Sequence, residues 1–85
     1  MLFRSGVRFH MCLLHNKVKR IRIQHCLSQE DLAAMVGLSR NSICSIENGQ
    51  CCPSAYTAFL LCRALHCKFE DLFFVNEYDI NQRTK

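Results

Sequence analysis

Four consecutive polar residues, Ser39-Arg40-Asn41-Ser42, with Ser45 three positions further on, are the part of this chain best equipped to read another molecule by hydrogen bonds. A guanidinium such as that of Arg40 can bond guanine at O6 and N7 together, and an asparagine amide such as that of Asn41 can bond adenine at N6 and N7. Each pair of this kind is worth roughly 1–3 kcal/mol of discrimination against the wrong base. Covalent chemistry is not indicated. No histidine stands with a nucleophile and an acid in one motif, and no glycine-rich loop is built to cradle phosphate. No residue is therefore assigned as catalytic, and an enzyme is not expected.

Side chains read a base sequence only if a rigid element presents them together, and the neighbouring residues predict one. Ser39 can cap a helix whose buried stripe is Ile43 and Ile46, and Gly49 ends it. A second helix precedes it. Ser28 is its N-cap, with Asp31 three residues on as the acceptor of a capping box, and Leu32, Ala33 and Val36 recur along one face. Gly37 lies between the two helices and can take the left-handed conformation of a helix C-cap. Helix, glycine turn, helix is the geometry that lays the second helix into a DNA major groove with its first turn toward the bases. Ser39, Arg40, Asn41, Ser42 and Ser45 are accordingly the predicted base contacts.

The run from Leu27 through Ser28-Gln29-Glu30-Asp31-Leu32-Ala33, Val36-Gly37-Leu38-Ser39-Arg40, Ile43 and Ile46-Glu47-Asn48-Gly49 resembles the Cro/repressor-like (Xre-type) helix-turn-helix family of DNA-binding transcriptional regulators. The likeness continues through Pro53-Ser54 and from Ala64-Leu65 to Leu72-Phe73, covering roughly residues 16 to 74. It implies an all-α, lambda repressor-like bundle of about five short helices with double-stranded DNA as partner. It also implies that Gln29 buttresses the recognition helix and touches the DNA backbone or an outer base. Asn48 matches a family phosphate contact, and Ser28 can act likewise. An Arg22–Glu47 salt bridge tying helix one to helix three is implied as well. Five positions depart from the family pattern: Cys26 and His66 replace glycines at helix ends, and Ser45, Gln50 and Cys51 replace frequent lysines or arginines.

Around that centre, Asn16 to His25 reads as the first helix. Asn16 is its N-cap, Val18 and Ile21 face inward, and Lys17, Lys19 and Arg20 lie on other faces as phosphate contacts. Ser54 caps a fourth helix with a stripe of Ala55, Ala58, Leu61, Cys62 and Leu65. Tyr56, Phe59 and Leu60 fall partly off this stripe. With Phe74 and Val75 they form the predicted dimer interface. Glu70 to Phe74 is the fifth helix, with Phe69 and Leu72 inward. Phe73-Phe74-Val75, beside Tyr78 and Ile80, either forms a short strand or packs across a dimer. The chain divides into an extension at 1–15, a DNA-binding domain at 16–74 and a polar tail at 75–85. The extension reads as a basic arm carrying Arg4 and Arg8, as a strand at a dimer interface, or as a leader without structure of its own.

The formal net charge of the 85 residues is +4, and its placement is uneven. Residues 1–26 hold six basic side chains and no acid, while the remainder holds five basic residues against seven acids. A basic N-terminal third suits phosphate neutralisation. Seven cysteines would suggest a disulfide framework in a secreted chain. The odd count and the lack of a recognisable signal peptide predict instead a cytoplasmic protein with reduced thiols. No Cys-x-x-Cys pair is present, so no metal or other cofactor is assigned, and no run reaches the ~20 apolar residues of a membrane span. The function expected is a sequence-specific regulator, a repressor acting by occupying a palindromic operator as a homodimer. The alternative is a protein-interaction module, such as the antitoxin of a toxin–antitoxin pair, using the C-terminal tail.

Overall fold

Serine caps set where the helices begin. In the computed structural model, which describes residues 12–76, the elements in order are β1 (His15–Asn16), α1 (Val18–Gln24), α2 (Gln29–Val36), α3 (Arg40–Glu47), α4 (Ala55–Leu65), α5 (Phe69–Leu72) and β2 (Phe73–Phe74). Ser28, Ser39 and Ser54 each precede a helix in extended conformation, and each side-chain oxygen accepts the backbone N–H three residues on. At α2 the capping box is reciprocal. Asp31 N–H donates to Ser28 Oγ and Ser28 N–H donates to Asp31 Oδ2, both at 2.9 Å. The Ser28 backbone N–H, then its hydroxyl, hold the Asp31 carboxyl below its ordinary value. A lowered acid stabilises the fold above its unfolded pKa and ceases to do so as pH falls through the lowered one. Gly37 ends α2 in the left-handed region at φ 73°.

The five helices close over one core to which each contributes. Val18 from α1, Leu32 from α2, Ile43 from α3, Leu61 and Leu65 from α4 and Leu72 from α5 are all fully buried. Helix α4 is central and packs against α1, α2 and α5. A two-stranded antiparallel pair, His15 opposite Phe74 and Asn16 opposite Phe73, joins the two ends of the described chain.

Several expectations change here. The first helix begins at Val18, because Asn16 is committed to the β pairing. Its Oδ1 still accepts the Val18 N–H at 3.0 Å, so it caps from one residue further out. Phe69 is 50 % exposed and does not face inward; Phe73, stacked on it at 5.0 Å, takes the buried place. The cause is that Phe73 leaves the helix in extended conformation, which turns its side chain onto the core. Ala55 is exposed, outside the buried stripe of α4. The expectation of reduced thiols fails at one pair. Cys12 and Cys52 form a disulfide across 40 residues with their Cα atoms 5.2 Å apart. The Cys12 N–H donates to Gly49 O at 2.8 Å, which lays the N-terminal segment against the exit of α3 and within bridging range. Tyr78 and Ile80, Arg4 and Arg8 lie outside the described residues.

Cys26 and His66 occupy the left-handed region at φ 59° and 57°, so the turns keep the conformation of a glycine although neither residue is one. Such a conformation costs a side chain about 1–2 kcal/mol. Cys26 is exposed, so Cys26→Gly should raise stability by about 1 kcal/mol, seen as a rise of a few degrees in Tm. A lowered Tm would show that the thiol side chain contributes more than the strain removes.

Candidate nucleic-acid interface

The base-reading row is built by α3. Ser39 Oγ accepts the Ser42 N–H at 3.1 Å and lies 3.0 Å from the Ser42 hydroxyl, so these two serines close the first turn on each other. Ile43 and Ile46 are buried on one side of the helix, which directs the other side to solvent. Ser39, Arg40 and Asn41 are exposed there, with Ser42 and Ser45 half-buried. Asn41 and Arg40 are thus left available at the helix N-terminus, the end that enters the groove in this motif.

Behind the row lies a buried carboxylate. The Glu47 side chain is 1 % exposed and that of Arg22 is 9 % exposed. Arg22 Nε donates to Glu47 Oε2 at 2.7 Å and Nη2 to Oε1 at 3.3 Å, a two-pronged pairing. Arg22 Nη1 donates to Leu27 O at 2.8 Å, and Gln29 Nε2 donates to Glu47 Oε1 at 3.0 Å. One cluster therefore joins α1, the α1–α2 turn, the first residue of α2 and the last of α3. Gln29 spends one of its two amide N–H donors inward, which leaves the other N–H and the carbonyl to offer an outside partner. Asn16 adds a tie that the sequence did not suggest: its Nδ2 donates to Ile46 O at 3.0 Å, capping the end of α3 from β1. Nothing in the local pattern distinguishes that asparagine from an ordinary helix cap.

Lys17, just before α1, and Lys19 and Arg20 on it are all exposed, and the Lys17 ammonium sits 5.8 Å from the Phe74 ring centre. Ser28 is exposed but engaged in its capping box, and exposed Asn48 lies at the foot of α3 with its Nδ2 3.4 Å from Cys44 Sγ. Of the apolar side chains expected at a dimer interface, Tyr56 is 71 % exposed, Phe59 56 %, and Phe74 and Val75 42 % each, with Leu60 half-buried. A groove of about 650 Å³ runs between α4 and α5 past Phe59, Cys62, Arg63 and Phe69. Burial, then Cys67 and Glu70 nearby, push the Cys62 thiol up, which makes it a poor nucleophile. Among the described residues no three histidine, cysteine or acidic side chains converge as metal ligands, and no helix is long and apolar enough to cross a membrane.

Two short helices locked about Gly37, with the second presenting a polar first turn, define a DNA-binding helix-turn-helix protein. The chain belongs to the helix-turn-helix family (HTH_3) of Xre/Cro-like DNA-binding transcriptional regulators, whose profile matches residues 18–72. It is 39 % identical over 64 residues to the uncharacterized HTH-type transcriptional regulator YgzD of Bacillus subtilis, covering 75 % of this chain and 97 % of that one. It is 43 % identical over 60 residues to an uncharacterized HTH-type transcriptional regulator of Methanocaldococcus jannaschii, covering 71 % and 91 %. Among solved structures it is similar to the restriction-modification controller protein C.AhdI of Aeromonas hydrophila, with a TM-score of 0.62 and 31 % identity over 65 % of this chain and 83 % of that one.

Removing one partner of a buried ion pair strands the other charge and costs about 3–5 kcal/mol. Glu47→Gln should therefore lower unfolding free energy by about that amount in urea titration, with an unchanged m-value. A loss under about 1 kcal/mol, the range of an exposed pair, would show that the cluster is dispensable.

Proposed function

We propose that this protein is a sequence-specific transcriptional repressor that binds a palindromic operator as a homodimer. The observation that carries the reading is the exposed Arg40-Asn41 pair at the N-terminus of α3, held on a helix whose far end is locked by Glu47. Arg40 reads a guanine and Asn41 an adenine on the major-groove edge, with Ser39, Ser42 and Ser45 making shorter contacts from the same face and Gln29 reaching the edge of the site through its amide. Lys19 and Arg20 of α1, with Lys17, Ser28 and Asn48, engage the flanking phosphates and fix register.

A recognition helix covers only a few base pairs, so a second copy is needed to specify a unique site, with half-sites about one helical turn apart. Exposed Tyr56, Phe59, Phe74 and Val75, with Leu60, offer the apolar surface for that pairing. A dimer seated on an operator that overlaps a promoter blocks it by occupancy alone.

Selection of duplexes from a random pool tests the proposal. A palindrome should be enriched by the wild type. Arg40→Ala should lose preference at one symmetric position by about 1–3 kcal/mol, roughly 5- to 150-fold, while keeping the rest of the site. Enrichment of no palindrome, or an Arg40→Ala profile identical to wild type, would count against it.

A further inference from the structure

The groove of about 650 Å³ between α4 and α5 shares no residue with the base-reading face. Its floor includes Ala58, which belongs to the apolar core, and Cys62, which packs against it, so the hollow is built into the fold. Phe59 from α4 and Phe69 from α5 also line it, and both rings stay about half exposed. A cavity of roughly 300–1,000 Å³ with mostly apolar walls and a few placed polar groups is the usual form of a small-molecule site.

The polar groups here share one character. Apart from cysteines they are Arg63, His66 and Lys68, and no acidic side chain lines the groove. The Arg63 guanidinium lies 5.7 Å from the Phe59 ring centre, which holds that cation against the groove wall. Neither Arg63 nor Lys68 has an ion-pair partner among the described residues, where Arg22–Glu47 is the salt bridge formed. Glu70 is near enough to act on the Cys62 thiol but lies outside the lining. His66 stands at φ 57°, a conformation that glycine would adopt without strain and without an imidazole. Backbone strain of this kind is concentrated at sites that bind something.

We propose that the groove binds a small monocarboxylate with a flexible aliphatic body. The body lies over Ala58 and Cys62 between Phe59 and Phe69, and its burial supplies most of the affinity. The carboxylate meets Arg63 and Lys68, with a hydrogen bond from the His66 ring. Contacts at an exposed rim are individually weak, so they select and orient the ligand more than they hold it. A second copy of the chain is a poorer occupant. A two-fold contact sets the same patch of both copies face to face, and that would bring Arg63 and Lys68 against their own counterparts with no acid in the lining to separate them. Phe59 borders both the groove and the surface proposed for pairing, while the other lining residues lie outside that surface. The inference does not depend on the DNA-binding reading.

Titration of the isotope-labelled full chain with decanoate, decanol and decyltrimethylammonium, each below its micelle concentration and followed by amide chemical shifts, tests this. Decanoate should move the amides of Phe59, Cys62, Arg63, Lys68 and Phe69 and leave those of Arg40 and Asn41 in place. Its Kd should be about tenfold below those of the neutral and cationic analogues. The double variant Arg63→Gln, Lys68→Gln should weaken decanoate about tenfold and leave decanol within about twofold. Phe69→Ser, with helix content checked by circular dichroism, should weaken decanoate and decanol alike. Equal affinity for decanoate and decanol, or undiminished decanoate binding by the double variant, would overturn the proposal. So would shifts centred on another face, or no shifts with decanoate at all. If the groove amides moved instead as the protein itself was concentrated, a second copy would be the occupant and the proposal would fall.

Discussion

The Glu47 carboxylate is almost wholly shielded from water, and the arrangement of the helix-turn-helix follows from what it requires. An ionised carboxylate removed from water must be given a countercharge and hydrogen-bond donors. Arg22 supplies the charge and two donors from α1, and Gln29 supplies a third from the start of α2. Because Glu47 is the last residue of α3, satisfying it fixes where that helix ends relative to both others. The guanidinium is then held by Leu27 O, which ties in the turn that leads to α2. An apolar substitute could supply comparable stability, but the network adds direction. In the observed placement of α3, Glu47 takes all three of these donors.

That placement sets the division of labour on the surface. The first turn of α3 contributes side chains suited to base edges, yet it holds a single positive charge, Arg40. Beyond that turn, Lys17, Lys19 and Arg20 are all exposed, and the Lys17 ammonium sits 5.8 Å from the Phe74 ring centre.

The helix-turn-helix was legible in the sequence because its signals are local. Ser28, Asp31, Gly37, Ser39 and Ser54 act through backbone groups within three residues, and the structure shows each in the place the pattern predicts. The Arg22–Glu47 pair spans 25 residues and was suggested by the family resemblance, since no spacing rule links the two. The features that escaped were long-range or turned on a single dihedral. Asn16 pairs with Phe73 and caps Ile46 at once, contacts set by topology. Phe69 and Phe73 exchange places because the chain leaves the helical conformation at Phe73, a change invisible to an apolar count. The cysteine bridge escaped for the same reason: composition gave an odd count of thiols, and only the fold brings Cys12 beside Cys52.

The central claim is that Glu47 locks α3 so that Arg40 and Asn41 face the bases. The structure of the protein bound to duplex DNA containing its selected site measures this most directly. The account predicts Arg40 and Asn41 within hydrogen-bond distance of base edges in the major groove, with the Arg22, Glu47 and Gln29 contacts intact. A complex in which another surface meets the DNA, or in which α3 enters the groove only after Glu47 has parted from Arg22, would contradict it.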